Sequence, residues 1–544
     1  MSSGIMSISG LVSGIDWDTT IEQLLAIQAQ PINLLEQRKQ KNETKLSMWQ
    51  QINTRLQSLE STAKSMTEKK DFLSRIATSS DADKVAATAT GEAQPGTHII
   101  SSITSLARAN NYVSGSSYSS KDDTFGQGAG SFVINLANHP DGAKSITLTY
   151  GTDYSAATTL DEFRQLINDH TDNDGLVNAS VINDGSGANP YKLVITASNS
   201  GTDYSITSIT DTSTGLVMAQ GLTAQNCVFT IDSISITKNE NQVDDVVDGV
   251  TFTLLDSGIT SDIVISVEDD LATVKSNINS IVDSYNDLKA LMNSVSSFDE
   301  DNEIMGPLMG DGYLSSVRSK MDAIISGSIP GMPSSAIYQS LSHIGITTDG
   351  SAGLLLVDDS ELTDALEDDF DAVADVFCEK ATTDNNSITY QQRTLDTEAG
   401  SYSVVVNYDG SGNITSATID GHEANILGSL VQGKEDYNEE GILLKFTWPG
   451  SGNQETATIN LSLGVNAQFE KEIDFISGTE YLEGEIYWAE DQLNDSIEHL
   501  EEQIEDMEKR LVKKEEILRN QFTQLELAMS QMRSQSSYLE SILG

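Results

Sequence analysis

The sequence predicts an α+β chain of several domains, with long terminal helices forming a coiled-coil stalk and β-rich heads inserted between them. Three observations carry this prediction. Near the C-terminus, Ile497, Ile504, Leu511, Leu518, Leu525, Met532 and Leu539 recur every seven residues, and Leu493, Leu500 and Met507 lie on the adjacent line. That is the a/d pattern of a helix that packs against other helices. Near the N-terminus, Trp49, Ile52, Leu56, Leu59, Ala63 and Met66 alternate at spacings of three and four, which marks a second long amphipathic helix. Between them the residues shift to Ser, Thr, Gly, Asp and Val in alternating runs, interrupted by a mainly helical region over 269–380. The expected units are leg helices over 1–80, a β-rich head over 81–112 and 222–268, and an outer head over 113–221. A helical leg domain over 269–380, an inserted β-rich domain over 381–478 and a coiled-coil leg over 479–544 complete them.

In chain order, residues 1–14 read as flexible. Asp16 or Asp18 caps a helix that turns Ile21, Leu24, Leu25 and Ile27 inward. Pro31 ends or kinks that helix and suits the first turn of the next, from about Ile32 to Lys70. Strands are expected at Lys84–Thr90, His98–Leu106, Ser131–Leu136 and Ser145–Tyr150. Thr159–Asn168 is a short amphipathic helix. Val177–Asn183 and Tyr191–Ala197 form a hairpin, and Gly201–Ile209, Val228–Thr237, Val250–Leu255 and Asp262–Val267 continue the β pattern. Helix returns at Ala272–Ser294 and Tyr313–Ile325. Ile344–Thr347 and Leu354–Val357 flank an Asp-Gly turn, Asp359 or Ser360 caps Glu361–Ala365, and Phe370–Phe377 is helical. Then Tyr402–Tyr408 and Ile414–Ile419 pair across Asp409-Gly410, Leu443–Trp448, Ala457–Leu463 and Gln468–Phe475 read as strands, and the last helix begins near Thr479. Its seam is roughly 65 Å long at ~1.5 Å per residue, so it needs partners from this chain or from other copies.

Composition narrows the function. The 544 residues include 31 basic and 82 acidic ones, for a net charge of −51. Residues 1–80 are nearly neutral, with nine basic and eight acidic side chains, so the excess lies elsewhere. No basic surface exists to engage phosphates, which excludes ordinary nucleic-acid binding. Two cysteines, Cys227 and Cys378, define neither a disulfide framework nor a zinc pattern. No run of ~18 apolar residues suggests a membrane span. The Ser/Gly-rich start has no basic region and no continuous apolar core, so it does not read as a Sec signal peptide.

Motifs for chemistry are weak. Gly428–Lys434 has the spacing of a phosphate-binding loop, but Glu435 stands where a Ser or Thr hydroxyl is required. His170, Asp172, Asp174 and Gly175 resemble part of a calcium loop, yet His170 replaces the first Asp and Val181 the bidentate Glu. The six histidines are scattered, and His422–Glu423 reads as a loop. Trp49 and Trp488 suit stalk packing better than ligand stacking. No catalytic residues, metal or cofactor are assigned, and the reading is not an enzyme.

The opening Ser7-Ile8-Ser9-Gly10-Leu11-Val12-Ser13-Gly14-Ile15-Asp16, with Ile21-Glu22-Gln23-Leu24-Leu25 and Gln30-Pro31, resembles that of the bacterial flagellar filament cap family, hook-associated protein 2. Leu341–Phe377 and the tail from Gln521-Phe522 to Leu539 resemble the same family, and Leu160–Thr196 is similar to a β-α-β-β unit of flagellins and hook-associated proteins. The resemblance implies a leg-and-plate architecture, a ring of five or six copies at the distal tip, and insertion of exported flagellin beneath it. It also implies export through the flagellar type III apparatus, a chaperone on the C-terminal helix, contact with the hook–filament junction protein, and no membrane insertion. The alternatives are another axial protein, such as a junction protein, or a tip adhesin whose acidic head binds mucin or other glycans. The residues expected on the coiled-coil and assembly seam are Trp49, Ile52, Leu56, Leu59, Ile497, Leu500, Ile504, Met507, Leu511, Leu518, Leu525, Met532 and Leu539. Residues 381–478 exceed what shorter family members carry, which predicts an added, exposed β domain.

Overall fold

The computed structural model describes residues 16–125, 128–139, 142–299, 303–478 and 484–543. Two compact units emerge, one from Lys69–Val274 and one from Met1–Glu68 with Lys275–Gly544. The helices are α1 Trp17–Lys64, α2 Lys69–Phe72, α3 Leu160–Asn168, α4 Leu271–Ser296, α5 Gly312–Ser326, α6 Asp359–Asp368, α7 Phe370–Phe377, α8 Val465–Ser477 and α9 Glu485–Leu543. Every strand pair in the named sheets is antiparallel, as short connections between alternating runs require.

The 69–274 unit holds two β cores. The first joins a five-stranded sheet, in the order Arg75–Ser79, Ile263–Asp269, Gly96–Ser105, Cys227–Ile231, Ile234–Lys238, to the three strands Gln242–Val247, Val250–Leu254 and Val85–Ala89. Ile100, Ile103, Phe229, Phe252 and Ile265 fill its interior. At its rim the buried Arg75 guanidinium donates to Asp269 at 2.9 Å and to the Gly91 carbonyl at 2.6 Å. The second core packs α3 among Phe125, Phe132, Tyr154, Leu193 and Ile195. A Thr159–Glu162 capping box starts α3.

In the other unit, the second half of α1 packs against α8 and the start of α9, α5 packs on α8 and α9, and α4 lies beside α1. Trp49, Ile52, Leu56, Leu59 and Ala63 are completely buried there, at the three-and-four spacing that puts them on one face. Polar links tie the same helices at their edges: Arg55 to Asp287, Lys64 to Glu470 at 3.2 Å, and Lys320 to both Glu472 and Glu485 at 2.9 Å. A β sandwich leaves this bundle between α7 and α8. Its five-stranded sheet runs Glu379–Thr383, Gln454–Leu463, Gly400–Tyr408, Ile414–Ile419, His422–Glu423, and it faces the four strands Ile388–Gln392, Leu443–Phe446, Leu430–Gln432 and Asn425–Leu427. Entry and exit lie side by side: Glu379 pairs with Leu463, and the Gly464 amide donates to the Cys378 carbonyl at 3.1 Å. A Cβ on Gly464 would stand 2.3 Å from the Phe377 backbone, so the crossing requires glycine.

Several sequence expectations are corrected. Pro31 does not divide two helices; it sits on the exposed side of one 48-residue helix that ends at Lys64. A proline removes one backbone hydrogen bond, and the buried residues Ile21, Ile32 and Leu35 on either side hold the helix through it. Leu24 and Ile27 point outward, at 38% and 62% exposure. Gln468–Phe475 is not a strand but part of α8, where Val465, Phe469, Ile473 and Ile476 are buried at helical spacing. Val228–Thr237 is two strands, because Asp232 and Ser233 adopt positive φ and form a tight hairpin turn. The β pattern at Gly201–Ile209 begins at Ile206, and the strands Met218–Leu222 and Gln242–Val247 were not anticipated. Asp358, not Asp359 or Ser360, caps α6. The Ser7–Ile15 motif and the helix start near Thr479 lie outside the described residues.

Candidate assembly surface

The first half of α1 and most of α9 form an antiparallel helical hairpin. Trp17 stacks on Phe522 with ring centroids 4.6 Å apart, and its indole donates to Glu526 at 2.7 Å. Asp18 pairs with Arg519 at 3.0 Å, Lys39 with Glu501 at 2.6 Å, and Asn42 donates to Ser496 at 2.9 Å. Across these five pairs the residue numbers add to between 537 and 543, the signature of one continuous antiparallel register. On α1 the buried or half-buried stripe is Ile21, Leu25, Ile32, Leu35, Lys39, Asn42, Leu46 and Trp49, spaced by whole heptads and half-heptads.

The predicted seam residues separate into three groups. Trp49, Ile52, Leu56 and Leu59 are fully buried inside the helix bundle of the same chain, so they are core and not an open assembly seam. Ile497, Leu500, Ile504, Met507, Leu511 and Leu518 line the hairpin; Leu500 is buried and the others half-buried. Leu525, Met532 and Leu539 are exposed by 44%, 63% and 56%. After Leu518 the half-buried positions become Phe522, Glu526 and Met529, a spacing of four, four and three. This stutter rotates the seam away from the heptad line, which explains why Leu525 faces out. The sequence reading did not anticipate Lys39 and Asn42 as seam residues, because it sought only apolar positions, nor Trp17, which opens the helix before the apolar periodicity begins.

Charge placement within the hairpin is specific. The hydrogen bond to Glu501 raises the Lys39 pKa, holding this central cation charged. Glu515 and Asp18 do the same for Arg519. In the bundle, burial raises the Glu60 and Glu490 pKa values, and Asp474 adds to the effect at Glu60.

The chemistry-like motifs resolve into local structure. In the 170–176 turn the buried Asn173 amide fills the centre, donating to the Ile167 and Val177 carbonyls at 3.0 Å each. Among the described residues, no group of three or more His, Cys, Asp or Glu side chains could hold a metal ion, and no helix is long and apolar enough to cross a membrane. Gly428–Lys434 runs through a turn and a strand, and Lys434 pairs with Glu423 at 3.2 Å. His422–Glu423 is a short strand; His422 stacks on Tyr437 at 3.7 Å and lies 2.7 Å from the buried Glu439 carboxylate.

Comparison with known proteins places this architecture. Residues 224–534 match the family described as flagellar hook-associated protein 2 C-terminus, and residues 13–110 match its N-terminus. The A-type flagellar hook-associated protein 2 of Pseudomonas aeruginosa is 28% identical over 401 residues, covering 68% of this chain and 80% of that protein. Flagellar hook-associated protein 2 of Escherichia coli K12 is 26% identical over 389 residues, 68% of this chain and 79% of the relative. In fold, the chain is similar to the D1-D2-D3 domains of the flagellar cap protein FliD from Escherichia coli. The TM-score is 0.51 at 24% identity, over 60% of this chain and 89% of that one. With the C-terminal match alone spanning more than half of its residues, the chain belongs to the flagellar hook-associated protein 2 family.

Proposed function

We propose that this protein is a structural cap at the distal tip of the bacterial flagellar filament. The single observation that carries the reading is the antiparallel terminal hairpin, whose heptad positions Leu525, Met532 and Leu539 are exposed. A helix with apolar residues left open suits burial on assembly, where each covered Leu or Ile contributes on the order of 1.5–3 kcal/mol. Family membership supports the same reading. The terminal segments 1–80 and 479–544 serve as the leg, and the β-rich segments form the plate. Copies of the chain associate as a ring of five or six, exported flagellin folds and inserts beneath it, and the hook–filament junction protein is the first surface it meets. Export runs through the flagellar type III apparatus with a chaperone on α9, and the protein acts outside the cell. No catalytic step is required, because the work is templated assembly.

The test is deletion and complementation. Cells lacking the protein are expected to shed unpolymerised flagellin into the medium and to lose motility. The full chain restores filaments, and a chain ending at residue 510 does not. Normal filaments in the deletion strain would overturn the reading.

A further inference from the structure

The structure carries a second surface, separate from the seam between α1 and α9. Along α1, residues 24, 27, 31, 34, 38, 41 and 45 follow alternating spacings of three and four on a face that flanks the seam with α9, exposed throughout except at the half-buried Lys45. The first half of this stripe is apolar and exposed: Leu24 38%, Ile27 62%, Leu34 51%. Its second half is basic, with Arg38, Lys41 and Lys45, and none of these three has an ion-pair partner among the described residues. An exposed stripe that follows the heptad and changes from apolar to basic is not explained by packing within one chain.

α9 carries its counterpart. From Glu485 to Glu508 this helix holds ten acidic residues and no Lys or Arg. Asp495, Glu498 and Glu502 lie exposed on one outer face, and further along the same face Val512 is 64% exposed. The hairpin register fixes the heights at which these groups stand. With paired residue numbers adding to about 539, Arg38 stands level with Glu501 and Glu502, Lys41 with Glu498, and Lys45 beside Asp495. Ile27 stands level with Val512. Of the apolar half, Ile27 meets an apolar position while Leu34 and Leu24 stand level with Glu505 and Glu515, so the match is carried by the basic half against the acidic run.

We propose that the α1 stripe of one copy docks against the outer face of α9 of the next copy, so that neighbouring legs stand side by side at one height. This rests on the ring-forming reading above and names the surface that forms the ring. The two faces differ, so the contact is heterologous; such contacts close into rings when the rotation allows. Charge complementarity sets the register, as it does between other paired surfaces.

The experiment uses the full chain and reads association by analytical ultracentrifugation, with circular dichroism to confirm folding. Arg38→Glu, Lys41→Glu and Lys45→Glu together should weaken association by about tenfold or more, since each exposed pair contributes modestly. The same holds for Asp495→Lys, Glu498→Lys and Glu502→Lys together. Both sets in one chain should restore association. Wild-type association should fall as salt rises, because exposed charges are screened. If either triple variant assembles like wild type, or the doubly reversed chain stays dissociated, this contact is overturned while ring formation stands. If both triple variants form rings but fail to seat on filaments, the stripe meets another protein and the proposal is likewise overturned. A wild-type chain that never self-associates would instead remove the ring reading itself, and this contact with it.

Discussion

At the scale of single residues, two positions in the helix bundle separate packing from charge. Leu56 is completely buried on the face that α1 turns to the bundle. Leu56→Ala removes buried carbon and leaves a cavity that neighbouring helices close only in part, so it is expected to cost about 2–5 kcal/mol. A shift in the denaturant midpoint at unchanged slope would measure it, and a shift below about 0.5 kcal/mol would contradict the core assignment. Glu60 is four residues on and behaves oppositely. Burial raises its pKa, with Asp474 and Glu470 adding repulsion that Lys64 only partly offsets. A carboxyl whose folded pKa lies above its unfolded value binds its proton more tightly when folded. Its stabilisation is present at low pH and is lost as pH rises through the folded pKa. Glu60→Gln should therefore raise Tm at pH 7 and leave it nearly unchanged at pH 4; an equal effect at both would show that the carboxylate carries no penalty. The sequence showed the apolar positions here through their spacing. It did not show Lys39 or Asn42 at the seam, because polar seam residues break the pattern that identifies a helix face, and only the partner helix α9 reveals their role and that of Trp17.

At the scale of elements, periodicity was a sound guide where a stretch fits one period, and a poor one where it fits two. The heptads of α9 as far as Leu518 and the turn at Asp409-Gly410 were legible because each depends on neighbouring residues of one element. α8 was misread because Phe469, Ile473 and Phe475 stand at even spacings that also fit a strand, whereas in the helix Phe469 and Ile473 are buried and Phe475 is 51% exposed. The β sandwich that precedes α8 makes an element-scale prediction. Its two ends are hydrogen-bonded neighbours, and its ion pairs to the bundle are at its edge: Arg393 to Glu470 at 3.9 Å, Lys471 to Glu398 at 2.7 Å and Lys380 to Asp375 at 2.6 Å. Joining Lys380 to Ser462 through a short Gly-Ser turn should therefore leave a cooperatively melting helix bundle. Loss of the helical dichroism signal would show instead that the sandwich is part of the bundle core.

At the scale of the whole molecule, the proposed role of the hairpin in assembly is open to a direct test. Leu511 and Leu518 are half-buried against α1, whereas Leu525 is 44% exposed because the stutter after Leu518 turns it out. A carboxylate placed among apolar neighbours is costly in proportion to the water it loses. Leu511→Asp with Leu518→Asp should thus weaken the hairpin within the chain, while both β cores of the 69–274 unit, which share no residues with the hairpin, keep their protection from hydrogen exchange. Leu525→Asp is the sharper test, since in a lone chain the new charge stays in water and should move Tm very little. If the exposed heptad positions are covered on assembly, that variant folds like wild type, associates poorly and leaves flagellin in the medium of complemented cells. If it forms normal filaments, the distal third of α9 is solvent-facing in the working state, and the leg engages its partners through the α1 side alone.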